Sequence, residues 1–287
     1  MMEKNLLTFG HGYTAKEFTK QLLPKGWKII GTTRDHNKIN PLCETGISAL
    51  LWDDQKLEEA ICNATAMLVS ASPNEKGDPV YLRFVETIRR RTNSISWFGY
   101  LSTSGVYGDF GGNWVDEDTK PRPSTNRGKK RLLAENQWKS VENLPLHIFR
   151  LAGIYGPGRG PFSKIRAGTA KRVIKEGQVF SRIHVEDIAQ VLVASLERPQ
   201  PGRIYNLCDD NPAPPEDVIA YSADLLGLPL PPLVKFEEAE LGQMARSFYA
   251  ENKRIRNNRI KNELGVVLKY PNYRIGLKDL LKRESVG

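Results

Sequence analysis

Through the first half of the chain, short runs of aliphatic and β-branched residues alternate with longer stretches whose apolar positions recur at helical spacing. The short runs fall at residues 5–9, 28–33, 47–51, 66–71, 96–102 and 147–151, and each is closed by polar residues, Gly or Pro. Runs of that length and composition predict buried strands. After the first of them, residues 15–23 set Ala15, Phe18 and Leu22 on one helical face with Lys16 and Lys20 elsewhere, and Pro24 and Gly26 stop the helix. Residues 80–91 and 129–141 are amphipathic in the same way. Strands and helices alternating like this predict an α/β domain, a doubly wound parallel sheet with helices on both faces.

From about Ile154 the texture changes to an irregular one. Gly156-Pro157-Gly158-Arg159-Gly160-Pro161 reads as a loop, and Pro and Gly at 199–202 and 212–215 punctuate the later segments. We therefore expect residues 1–153 to form the sheet domain and residues 154–287 a smaller region covering a substrate, with 183–207 returning to the main body and 183–196 helical. The helices at 80–91 and 129–141 are placed where a second subunit can pair with them, so a homodimer is also expected.

Composition changes this picture little. Of the 287 residues 40% are hydrophobic and 26% charged, which argues against a disordered or fibrous chain. No apolar stretch approaches the ~20 residues of a bilayer-spanning helix, and the short apolar run near the amino terminus is too brief for a secretory signal. Three scattered cysteines, Cys43, Cys62 and Cys208, lack paired metal-ligand spacing and fit a reducing compartment, so a cytoplasmic location with no membrane partner is expected. The net charge of +9 favours anionic partners. Basic clusters at 127–131 and 253–256 can be solvated helix faces or phosphate contacts; nucleic-acid binding rests on charge alone and is not expected.

Gly10-His11-Gly12-Tyr13-Thr14-Ala15 follows the first predicted strand directly and opens the first predicted helix. A plain strand-to-helix turn could use the same glycines, but in a βαβ series the spacing marks a Rossmann-type dinucleotide loop. Gly10 makes the tight turn, Gly12 lets a pyrophosphate approach the backbone, and Ala15 permits close helix–sheet packing. His11 is expected to act as a spacer through its backbone, and Tyr13 to lie at the helix start, where unsatisfied N–H groups face the phosphates. The second strand ends Gly31-Thr32-Thr33-Arg34, and Thr33 with Arg34 suits a ribose 2′-phosphate, so NADP is expected ahead of NAD. Asp35 could instead accept a free 2′-OH. Asp53 is expected to bond the adenine amino group or to cap its loop, and Ser70, Ala71 and Ser102, at later strand ends, to line the cofactor.

Leu101-Ser102-Thr103-Ser104-Gly105-Val106-Tyr107-Gly108-Asp109 resembles the extended short-chain dehydrogenase/reductases, the epimerase and dehydratase superfamily. Phe149 to Arg159, Arg182 to Ala189 and Tyr205-Asn206-Leu207 resemble later signatures of the same superfamily in the same order. Gly10 to Tyr13, Trp114 to Glu117, Glu263-Leu264-Gly265 and Tyr270-Pro271 narrow the resemblance to an atypical, NAD(P)-dependent epimerase-like subgroup. It implies a Ser or Thr after the fifth strand, matched by Thr103 with Ser104 as second choice, then a Tyr four residues before a Lys. Counted back from Glu135, those two positions are Arg127 and Arg131. Arginine stays protonated and cannot relay a proton, so the usual acid–base pair is missing.

Three readings are open. A hydride-transferring oxidoreductase or epimerase could take its phenol from Tyr107 or Tyr155 and its polarising hydroxyl from Thr103 or Ser104, although both tyrosines also suit packing. Arg127, Lys129 and Arg131, with Arg159, could neutralise an anionic small-molecule substrate such as a phosphorylated or nucleotide-linked sugar. Alternatively the chain is an NADP(H) sensor or binding module without chemistry. Asp187 is expected to cap the helix beginning there, His184 to be a core histidine, and Asp78 to be the N-cap before Pro79. No His, Asp or Glu spacing calls for a metal.

Overall fold

The computed structural model describes residues 3–284. Its strands in chain order are β1 (Asn5–Phe9), β2 (Lys28–Thr33), β3 (Ser48–Leu51), β4 (Ala66–Val69), β5 (Trp97–Thr103), β6 (Trp114–Val115), β7 (Leu146–Leu151), β8 (Gly153–Tyr155), β9 (Arg172–Ile174), β10 (Arg182–His184), β11 (Ile204–Leu207), β12 (Leu233–Lys235) and β13 (Arg254–Ile255). The helices are α1 (Tyr13–Leu22), α2 (Ile39–Cys43), α3 (Leu57–Asn63), α4 (Pro79–Arg89), α5 (Asn126–Lys139), α6 (Phe162–Arg166), α7 (Val185–Glu197), α8 (Pro215–Leu225), α9 (Gln243–Tyr249), α10 (Asn258–Leu264) and α11 (Tyr273–Glu284).

Seven strands form one sheet in the order β11-β7-β5-β4-β1-β2-β3, and every neighbouring pair is parallel. Side chains alternate across β1. Leu6 joins Ala15, Phe18 and Leu22 of α1 and the apolar side of α7 on one face, while Leu7 and Phe9 meet α3, α4 and α5 on the other. Two cores on opposite faces explain why the strands read as continuous apolar runs. This is a Rossmann-like α/β fold.

All six strands expected from the sequence are present within a residue or two. The fourth stops at Val69 because Ser70 turns away, donating its hydroxyl to the carbonyls of Phe9 and Gly10. Helix α5 starts earlier than expected because Thr125 Oγ1 accepts the Gly128 N–H and caps it. The second half is more regular than its Pro and Gly suggested: β8 pairs with β10, β9 with β12 and β6 with β13, all parallel. Asp78 does cap α4, accepting the Val80 and Tyr81 N–H groups. The Asp187 expectation is corrected. His184 caps α7 by accepting the Glu186 N–H at Nδ1, whereas Asp187 accepts the N–H groups of Lys269 and Tyr270 and fastens the carboxyl-terminal segment.

Candidate functional site

Strand order reverses between β1 and β4, and the crevice beyond their carboxyl ends is where such sheets bind ligands. Gly10 turns the chain there with φ +83°, and a Cβ on it would lie 3.1 Å from Ser70 Oγ and 3.3 Å from the Ala71 nitrogen. Its own N–H donates to Thr32 Oγ1 at 2.9 Å. Gly12 differs. Its backbone is extended (φ −97°, ψ −158°), it begins α1 with no side-chain cap, and a Cβ there would meet nothing nearer than the Gly10 carbonyl oxygen at 3.9 Å. The polypeptide therefore has no conformational or packing need for glycine at 12. The first turn of α1 has no side-chain cap, and a helix start of that kind can receive a phosphate.

His11 is more than the backbone spacer expected of it. Its ring is buried, bonded through Nδ1 to Thr8 Oγ1 at 2.7 Å and through Nε2 to Thr19 Oγ1 at 3.3 Å. The backbone N–H donates to the Thr32 carbonyl. Burial, aided by Lys16, lowers its pKa to about 4, so the ring is a neutral bolt beneath the loop. Gly31 of β2 makes room for it: a Cβ there would lie 2.7 Å from the ring.

At the end of β2, Arg34 is exposed and has no hydrogen bond or ion pair among the described residues, whereas Asp35 is occupied. Asp35 Oδ1 accepts the Asn37 N–H at 3.0 Å and Oδ2 lies 3.6 Å from Lys38. Thr33 Oγ1 accepts the Asp35 N–H. Asp53 is exposed just past β3 and bonds nothing among the described residues. Beside it stands a pair the sequence reading missed. The Arg83 guanidinium lies 4.7 Å from the Phe84 ring and 5.4 Å from the Trp52 ring, and donates to the Trp52 carbonyl. The sequence marks residues 80–91 only as an amphipathic helix and singles out neither Arg83 nor Phe84.

The end of β5 and the start of α5 hold the remaining candidates. Thr103 Oγ1 accepts the Gly105 N–H at 3.2 Å, and the half-buried Ser104 hydroxyl has no partner among the described residues. Arg131 Nη1 donates to the carbonyls of Leu101 (2.8 Å) and Ala71 (3.3 Å) and to the Tyr100 hydroxyl (3.2 Å), which holds its charge at the ends of β4 and β5. Arg127 lies 4.3 Å over Phe248 of α9. Arg159 arrives elsewhere, over the Tyr13 ring at 5.7 Å, while Tyr13 donates to the Pro157 carbonyl. The 156–161 loop thus reaches the start of α1.

Three expected side chains are committed to the interior. Ser102 donates its hydroxyl to Glu135 at 2.5 Å, and the buried Glu135 also takes both Nε (3.1 Å) and Nη2 (2.8 Å) of the buried Arg150. Tyr107 lies under Arg150, is fully buried, and donates to Asn206 Oδ1 at 2.7 Å; burial pushes its phenol up to about 12. Tyr155 packs edge-on to His184, its hydroxyl without a partner among the described residues and directed at Gly276 of α11, where a Cβ would lie 2.2 Å away. Burial raises that phenol well above its ordinary value. Short apolar runs predict the burial of β5 and β7, but nothing in a one-dimensional sequence pairs Ser102 and Arg150 with Glu135.

An open parallel sheet with a bare helix start at its switch point defines a dinucleotide-binding class of protein. The profile of the NAD dependent epimerase/dehydratase family matches residues 6–208, and the chain belongs to that family. It is 30% identical over 286 residues to Protein YeeZ of Escherichia coli (strain K12), covering 93% of this chain and 97% of that protein. A functionally unknown conserved protein from Silicibacter pomeroyi DSS is 57% identical with a TM-score of 0.95, over 98% of this chain and 99% of that one. The human epimerase family protein SDR39U1 (isoform 2), solved with NADPH, shares the fold at 15% identity and a TM-score of 0.74, over 97% and 99% of the two chains. Among the described residues no group of His, Cys, Asp or Glu is arranged to hold a metal, and no helix is long and apolar enough to cross a membrane.

Proposed function

We propose that this chain is an NADP(H)-dependent oxidoreductase or epimerase that acts on a carbonyl or alcohol carbon of an anionic small molecule without a Tyr-x-x-x-Lys pair. The observation that carries the reading is Gly12, a glycine the fold does not need beside a helix start it leaves bare. Gly10, Gly12, Tyr13 and the first-turn N–H groups of α1 would hold the pyrophosphate, with Ala15 allowing α1 to lie close to the sheet and His11 bracing the loop from below. Arg159, stacked on Tyr13, would add a cation there. Arg34 is free to take a ribose 2′-phosphate, while Asp35 already serves as a cap; Thr33 braces that corner, and the exposed Asp53 would bond the adenine amino group. Ser70 and Ala71 would border the nicotinamide half. The coenzyme supplies or accepts a hydride when bound.

The protein's own contribution is orientation and charge. Ser104, whose hydroxyl is uncommitted, would polarise the substrate oxygen, with Thr103 beside it. Arg131, locked on two carbonyls, and Arg127 would set a positive field that favours an anionic substrate and an oxyanion on it. A second reading, an NADP(H)-binding module without chemistry, is favoured by the burial of the Tyr107 and Tyr155 phenols, which makes both poor proton donors. Free thiols at Cys43, Cys62 and Cys208 agree with a cytoplasmic protein, and α4 and α5 with exposed Leu82 and Leu133 with a homodimer.

Calorimetric titration with NADPH and NADH tests the coenzyme assignment. Arg34→Ala should weaken NADPH about tenfold or more, the scale of a lost charge-assisted contact, and leave NADH nearly unchanged. Equal losses for both would reject the 2′-phosphate role. Turnover of any carbonyl substrate that Ser104→Ala abolishes would select the enzyme over the module; NADPH binding with no oxidation across carbonyl and nucleotide-sugar panels would select the module.

A further inference from the structure

A cavity of about 500 Å³ lies in the carboxyl-terminal half, between α6, β9, α8, α9 and α11. Its walls are largely apolar, with Val173, Val218, Leu241 and Leu277 among them, and three tyrosines, Tyr155, Tyr249 and Tyr273, contribute ring surface. The volume suits an organic molecule of ordinary metabolite size. One cation, Arg182 at the start of β10, lines it from the protein side, and the exposed Lys164 and Lys171 stand at its rim, against Glu240 as the one acid in the lining.

Arg182 is the informative residue. Its Nη1 donates to the carbonyls of Phe180 (2.8 Å) and Ala213 (3.2 Å), which fixes the plane of the guanidinium. Nε and Nη2 have no hydrogen bond, and the side chain no ion pair, among the described residues. That free edge carries two parallel N–H donors, the geometry a carboxylate accepts in bidentate fashion. Asp209 and Glu216 both act on Arg182 electrostatically, and neither forms an ion pair with it among the described residues. Asp209, whose N–H bonds the Arg182 carbonyl, is 1% exposed, has an unpartnered Oδ2, and is pushed up to about 8 by burial, so near neutrality it is mostly uncharged. A half-buried, oriented guanidinium with an open edge on a largely apolar cavity suits an anion that brings its own apolar body.

We propose that this cavity binds a small organic carboxylate with an apolar or aromatic body, the carboxylate on the free edge of Arg182 and the body among Tyr249, Tyr273 and Val218. The site stands on Arg182 and the cavity alone, so it holds whether or not a dinucleotide binds at Gly12.

The test is calorimetric titration of the full chain with 3-phenylpropionate, octanoate, 3-phenylpropanol and UDP. Both carboxylates should bind, the alcohol at least tenfold more weakly, and Arg182→Met should weaken the carboxylates by ten- to a hundredfold, the scale of a bidentate charge-assisted pair. Because Arg182 also bonds two carbonyls, Ala245→Trp serves as the second variant. It fills the cavity from a partly exposed helix position and should abolish carboxylate binding with an unchanged circular dichroism spectrum. Binding of UDP in preference to both carboxylates, equal binding of acid and alcohol, carboxylate binding that survives Ala245→Trp, or no heat with either acid at millimolar concentration would each overturn the proposal.

Discussion

Replacing Gly31 with Ala isolates the packing that supports the glycine loop. A methyl group on β2 at that position would lie 2.7 Å from His11 Nδ1, 2.8 Å from Cγ and 2.9 Å from Cβ. The last of these atoms adjoins the main chain, so the clash cannot be relieved by turning the ring alone and must move the loop. Overpacking of this kind costs about 1–3 kcal/mol. Displacing His11 also strains its 2.7 Å bond to Thr8, worth about 1 kcal/mol. The same movement pulls the His11 N–H from the Thr32 carbonyl and tilts the first-turn N–H groups of α1, so NADPH affinity should fall together with stability. Urea denaturation and NADPH calorimetry on wild type, Gly31→Ala, His11→Ala and the double variant measure both effects. With the ring removed the added methyl meets only the remaining Cβ of residue 11, so the double variant should be more stable than the two single losses summed, with a coupling of about 1–2 kcal/mol. Strict additivity, or a Gly31→Ala protein with an unchanged urea midpoint, would refute the bracing role of His11.

Glu135→Gln should destabilise the protein by about 3–5 kcal/mol in urea, because it leaves the Arg150 guanidinium buried without its counter-charge; a loss below about 1 kcal/mol would mean that water reaches the pair. Asp209 gives a pH signature. Its folded pKa is raised to about 8 from an ordinary 3.8, so its contribution is complete below about 4 and is lost as pH rises through 8. Asp209→Asn removes that loss, and its urea midpoint relative to wild type should rise steadily between pH 4 and pH 8; a pH-independent difference would show that the carboxyl is ionised and solvated in the folded protein.

Much of the main sheet could be read in the sequence because a strand buried on both faces is written as a largely apolar run, as β1, β4, β5 and β7 are. The glycine loop was legible for the same local reason: strand, Gly10, Gly12 and helix succeed one another without interruption. What was not legible depends on contacts between distant segments. His11 looked like a spacer because the hydroxyls it bonds, on Thr8 and Thr19, are unremarkable residues, and only Gly31, on the neighbouring strand, records the space its ring occupies. Asp187 obeyed the composition rule for a helix cap, yet the chain 82 residues onward supplies the N–H groups it bonds, and His184 takes the capping place. Tyr107 and Ser102 lie in a stretch that resembles a reactive signature, but their hydroxyls go to Asn206 and Glu135, partners that lie beyond the signature itself. The carboxyl-terminal half was the least legible, since its two-stranded ladders are two or three residues long and carry no period.

Gly12→Val tests the central claim most directly. The extended backbone at Gly12 admits valine, and the space around its Cβ is open, so the variant should fold with the wild-type urea midpoint. Calorimetric titration with NADPH should then show heat of binding for the wild type and none for Gly12→Val, because the added side chain occupies the place of the phosphates at the start of α1. Undiminished binding by the variant, or no binding by the wild type to either nicotinamide dinucleotide, would contradict the account.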